Sequence, residues 1–172
     1  METSFNEQIE GGFFVIGDIT VNEVELLNAY QILGPSGQKG LKDYLRYLLY
    51  KQYKREAMAA VFHNKLLHNL FHSLLHLVER DDFDLMQIEK RVKQIKELYY
   101  GIFEQVHNRF AEVIDDLDSC EVVKEFGHNS FENIDKAIRS GNHIMLRFEI
   151  IDFHQGFCRL SQKRDARNIV AV

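Results

Sequence analysis

The stretch LMQIEKRVKQIKELYYGIFEQVHNRFAEVIDDLD, residues 85–118, decides the fold. In it Ile88, Val92, Ile95, Tyr99, Ile102, Val106, Phe110, Val113 and Leu117 recur at steps of three and four. That spacing draws one continuous apolar stripe about eight turns long on an α-helix and fits no strand. The helix is predicted to run to Asp118. The turn before it, Arg80 to Asp84, places Asp81, Asp82 and Asp84 at its N-terminal end, where the helix dipole favours negative charge.

Upstream, residues 41–79 contain no glycine and no proline and are rich in tolerable helix formers. Leu67, Leu70, Leu74 and Leu77, widened by Leu66, Phe71, Leu75 and Val78, form a matching stripe. As one helix this arm would measure roughly 58 Å, long for a globular protein, so a kink or break is predicted near Ala57–Phe62. Two such helices joined by a short turn make a long antiparallel helical hairpin over residues 41–118.

Around the hairpin the expected architecture is an all-α bundle forming a single domain over residues 1–172. An acidic segment, 1–36, supplies one helix, and helices in 119–172 complete the bundle. In the first segment, Gly-Phe-Phe-Val-Ile at 12–16 is short enough to be a strand or an apolar plug. Thr20 with Glu23 has capping-box spacing, opening a helix to about residue 33. Gly34-Pro35-Ser36-Gly37 ends it. In the last segment, Gly127-His128-Asn129 is predicted to break the chain before a helix from Ser130 to Arg139, closed by Ser140-Gly141. Residues 143–163 alternate like a strand at Ile144, Leu146, Phe148 and Ile150. They also step like a helix at Leu146, Ile150, Phe153, Phe157 and Leu160, and this longer series favours helix.

Composition excludes several classes. With 45% hydrophobic and 27% charged residues, the chain of 172 residues is neither disordered nor fibrous. Cys120 and Cys158 are too few for a disulfide scaffold and read as reduced thiols of a cytoplasmic protein. The N-terminus METSFNEQIE does not resemble a signal peptide, and no apolar window reaches membrane-span length. Net charge is −5 but unevenly placed. Residues 1–36 hold six acids and no Lys or Arg, whereas residues 37–80 hold eight bases against three acids. Such alternation suits one segment docking on another, or a charge-steered partner.

Four constellations could carry chemistry. His68, His72 and His76 fall within about 80° on one strip that Glu79 joins, almost opposite the leucine face. Histidines one turn apart can chelate Zn²⁺ or another divalent metal, with Glu79 as a further ligand; the alternative is a polar face or an interface. Glu104 with His107 reads ExxH, as in carboxylate-bridged di-iron bundles, but Glu104 projects away from the apolar stripe. His63 lies on the leucine face, and a histidine on a helical hairpin can accept phosphate in a relay; on that face burial with a hydrogen bond is the commoner outcome.

Tyr44, Tyr47, Tyr50 and Tyr53 interleave with Lys42, Arg46, Lys51, Lys54 and Arg55, the pairing of rings and cations that single-stranded nucleic acid uses. Rings three apart rotate around the helix, so packing with ring inward and hydroxyl outward is the commoner role. The pair Arg167-Asn168 resembles the RNxxxH signature of HEPN-type ribonucleases. The histidine position falls on Val172, which implies an inactive relative. No phosphate loop or nucleophile elbow is present. The expectation is therefore a non-enzymatic cytoplasmic regulatory or adaptor protein. It would work through helix-mediated contacts, as a homodimer and with another protein. A nucleic-acid-binding or degenerate ribonuclease-like protein, a metal-binding protein and a histidine phosphotransfer protein stand as alternatives.

Overall fold

A computed structural model describes residues 21–80, 83–118 and 120–162. Among them it contains six helices and no strand: α1 (Val21–Ile32), α2 (Pro35–Phe62), α3 (Lys65–Glu79), α4 (Leu85–Ala111), α5 (Glu121–Ser140) and α6 (His143–Gln162). The all-α bundle built on a helical hairpin is thus observed. The apolar run at 12–16, Thr20, Asp81, Asp82 and the Arg167-Asn168 pair lie outside the described residues.

The chain divides into two compact units between Tyr44 and Leu45. In the larger, α3 packs on α4, α4 on α5, α5 on α6 and α6 back on α3, closing a four-helix ring. The hairpin seam uses residues that periodicity marked: Leu67, Leu74 and Val78 of α3 and Ile88, Val92 and Ile95 of α4 are buried, while Leu70 and Leu77 are half-buried at its edge. Asp84 caps α4 by accepting the Gln87 backbone N–H at 3.2 Å, and the Gln87 side chain returns a bond to the same carboxylate at 2.7 Å.

Rings fill the centre. Phe62 meets Tyr99, Phe126 and Phe157 with centroids 6.3, 5.6 and 5.3 Å away. Phe153 meets Phe71, Phe126 and Phe131 at 4.8 to 5.4 Å, and Tyr99 meets Phe131 at 5.7 Å. Most pairs are edge-to-face or tilted, the arrangements that ring quadrupoles favour. The Tyr99 hydroxyl, buried with its ring, donates to the Val123 carbonyl of α5 at 2.6 Å, so no buried polar atom is orphaned there.

Several boundaries differ from those predicted. The long outgoing arm breaks at His63-Asn64, just past the predicted site, where the Asn64 side chain accepts the Leu67 N–H and starts α3. Pro35 does not end a helix but opens α2 at its first position, where a missing N–H costs nothing. α4 stops at Ala111 instead of Asp118: Val113 is exposed while Ile114 turns into the core. Glu112, Asp115, Asp116 and Asp118 would crowd acids onto a helix C-terminus, where the dipole opposes them. Asp116 turns the chain with φ +55°.

Gly127 is not a break. It lies buried inside a continuous α5, so Ser130 caps nothing. A Cβ at Gly127 would stand 2.6 Å from Cε1 of Tyr99, and one at Gly156 of α6 would stand 2.7 Å from Cε2 of Phe126. Both glycines are notches that admit rings. Gly127→Ala is expected to destabilise the protein by about 1–3 kcal/mol in urea unfolding, because the Tyr99 hydroxyl bond holds that ring in place. Gly101→Ala, where a Cβ meets nothing within 4 Å, is the neutral-or-better control; equal loss at both positions would contradict the notch.

Candidate functional site

The histidine strip is split by the bundle. The core edge of α3 runs through Leu67, Phe71, Leu74 and Val78, rotated toward the histidines from the Leu70–Leu77 edge that the sequence suggested. The rotation follows from α6 packing on that flank. His68 is half-buried against the Phe157 ring at 4.9 Å. Its Nε2–H donates to the Phe62 carbonyl at 2.9 Å, a carbonyl left over where α2 ends. His72 faces His154 of α6, centroids 5.6 Å apart, and His76 and Glu79 are exposed. Among the described residues no three of His, Cys, Asp and Glu are gathered to hold a metal ion.

His63 is not buried on the leucine face. It sits exposed in the α2–α3 joint, and its Nε2–H donates to the Ser161 carbonyl near the end of α6 at 2.8 Å. Glu104 is exposed, whereas His107 turns inward. Its Nδ1 lies 3.0 Å from the Tyr53 hydroxyl, which also accepts the Cys120 N–H at 3.1 Å. The expectation of an outward tyrosine hydroxyl therefore fails at Tyr53, which is fully buried and ties α2 to α4 and to the start of α5. Burial pushes its phenol up. The spacing of four in Tyr53, Ala57 and Val61 was the signal for this inward edge.

Lys42, Arg46, Lys51, Lys54 and Arg55 are all exposed. Lys42 lies over the Tyr30 ring at 5.8 Å, Lys51 over Tyr47 at 5.2 Å and Lys54 over Tyr50 at 4.5 Å, so these cations are engaged with tyrosine rings. Between α4 and α5 an open cleft of about 440 Å³ is lined by Tyr100, Glu121, Lys124, Glu125, His128 and Asn129. Its mixed charges select no ligand class.

Among the described residues, exposed apolar side chains gather elsewhere. In α1 the side chains of Val24, Leu26, Leu27 and Ile32 are exposed, Ile32 to 87%. At about 100° per residue they point to several sides of the helix, a pattern normally buried. Within this smaller unit Tyr30 is engaged: its carbonyl accepts the Gln38 side-chain amide at 3.1 Å and Lys42 lies over its ring at 5.8 Å. Along α2, Tyr44, Leu45, Tyr47 and Leu48 are exposed as well. By helical phase, Leu45 and Leu48 lie roughly 150° from the edge carrying Tyr53, Ala57 and Val61.

Compared with protein-family models, curated proteins and solved structures, the chain matches none.

His154 gives a pH test. Burial, then the neighbouring His72 and His68, hold its imidazolium below the ordinary value of 6.5; Cys158 Sγ stands 3.4 Å from its Nε2. The unfolded chain therefore binds the proton more readily, so this group lowers stability as pH falls below its ordinary pKa and has no effect well above it. Urea unfolding at pH 8 and pH 5 should show a smaller acid loss in His154→Gln than in the wild type; an identical loss would contradict the packing. Tyr53→Phe should cost about 1–3 kcal/mol by leaving the Cys120 N–H unpaired, and a neutral result in the same assay would remove that three-helix tie.

Proposed function

We propose that the protein is a non-enzymatic docking module, an adaptor or regulator working in the cytoplasm. Its four-helix bundle is the scaffold, and α1, in the smaller unit, receives another protein. One observation carries this reading: α1 exposes Val24, Leu26, Leu27 and Ile32 on several sides. Removing apolar surface from water contributes about 25 cal/mol per Å², so a helix of this composition gains by being covered. Large contiguous apolar surfaces are uncommon on proteins that act alone. The two thiols, Cys120 and Cys158, are unpaired, which agrees with a reducing compartment. No described helix is long and apolar enough to cross a membrane.

Photo-cross-linking tests the reading in cells that make the protein. A photoreactive phenylalanine analogue at Leu26 or Leu27 should give protein adducts that the same analogue at exposed Glu97 of α4 does not. Adducts removed by nuclease would instead favour a nucleic-acid surface built on Lys42, Arg46, Lys51, Lys54 and Arg55. Absence of protein adducts at both positions would refute the docking role.

A further inference from the structure

We infer that the outer face of α6 pairs with the same face of a second copy of this chain, the two helices running parallel about a two-fold axis. The contact lies wholly in the larger unit and is independent of the docking role of α1.

α6 is apolar on two sides. Leu146, Ile150, Phe153 and Phe157 enter the bundle core. Ile144, Phe148 and Ile151 recur at steps of four and three on a line roughly 155° from that edge. Ile144 is 84% exposed and Phe148 64%, while Ile151 is half-buried. A helix apolar on opposite sides is normally covered on both. The outer line is also firmly held. The Asn142 side chain accepts the Ile144 and Met145 N–H groups at 3.1 and 3.0 Å, and the His143 ring stacks on Phe83 of the hairpin turn at 4.2 Å. Steps of four and three make the seam of a two-stranded coiled coil. Gln155, next in the series, ends the apolar line after about three turns.

Charge selects the occupant. Arg147 and Asp152 are exposed and lie about 70° to either side of the apolar line. Neither has an opposite charge three or four residues away on α6. Among the described residues neither forms an ion pair. Their separation of five residues is that of the two positions flanking a coiled-coil seam, one on each side. A two-fold axis parallel to the helices sets the Arg147 side of each copy against the Asp152 side of the other, so two ion pairs form at once. An antiparallel pair would set Arg147 side against Arg147 side and leave both charges unmatched. A parallel second copy therefore satisfies the apolar line and both of its flanks. Three turns of helix fall short of the standard interface of about 800 Å² per partner, so the dimer is weak and depends on concentration.

The test is the solution mass of the full chain by light scattering over a range of concentrations. The wild type should pass from monomer to dimer as concentration rises. Phe148→Glu should stay monomeric with unchanged helical content, since the ring lies outside the bundle core. Arg147→Asp alone and Asp152→Arg alone should each weaken association at least tenfold, because each sets like charges together twice. The double variant, Arg147→Asp with Asp152→Arg, should recover the dimer, which damage to folding cannot produce. Under mild oxidation Ile144→Cys should give a covalent dimer, because parallel copies bring the two 144 positions together; Leu66→Cys, at an exposed position of α3, should not. A wild type that is monomeric at every concentration would overturn the inference, and the α1 adducts would still decide the docking role separately. A dimer that survives Phe148→Glu, or a double variant no tighter than the single ones, would overturn it as well.

Discussion

The ring of Phe62 is the element on which the larger unit depends. It is the last residue of α2, yet it stands among Tyr99 of α4, Phe126 of α5 and Phe157 of α6, so one side chain touches three of the four bundle helices. A ring of that size must be reached by the backbone at one angle. The chain stops α2 there and restarts α3 two residues later. Three polar groups are put to use at the stop: Asn64 caps α3, His68 takes the Phe62 carbonyl, and His63 reaches the Ser161 carbonyl. The histidines that look like a metal strip in sequence are, in part, fittings of this joint.

The same packing demand explains features that otherwise read as breaks. Aromatic centres need space along the helix axes, and glycine supplies it without interrupting a helix. Gly127 yields to Tyr99 and Gly156 to Phe126. At the opposite end, Phe83 in the α3–α4 turn stacks on His143 at the start of α6, with centroids 4.2 Å apart. The hairpin turn and the α5–α6 connection are thereby held together. α2 then serves two purposes along one rod. Its second half joins the bundle through Tyr53, Ala57 and Val61, and its first half keeps Leu45 and Leu48 outside.

The hairpin was legible because its information is local: periodicity in α4 is carried by successive residues and needs no knowledge of neighbours. The helix at 143–162 was legible for the same reason. What periodicity cannot carry is which third and fourth helix will cover a flank. α6 rotates the buried edge of α3 toward His68, and that depends on residues more than eighty positions away. Gly127 and Gly156 are legible as breakers in isolation and as notches only once Tyr99 and Phe126 are in place. His107 seemed to belong to an ExxH pair with Glu104; its true partner, Tyr53, is 54 residues distant. The end of α4 was missed because the apolar series continued through Val113 and Leu117 while the acids beside them were already ending the helix.

The central claim is that α3, α4, α5 and α6 share one aromatic core and therefore open as one unit. Native-state hydrogen exchange by mass spectrometry tests this most directly. Amides in the middle of all four helices should share one opening free energy, that of global unfolding, and Phe62→Ala should lower it equally in each. If the α3–α4 hairpin stayed protected while α5 and α6 exchanged independently and faster, the shared core would be contradicted.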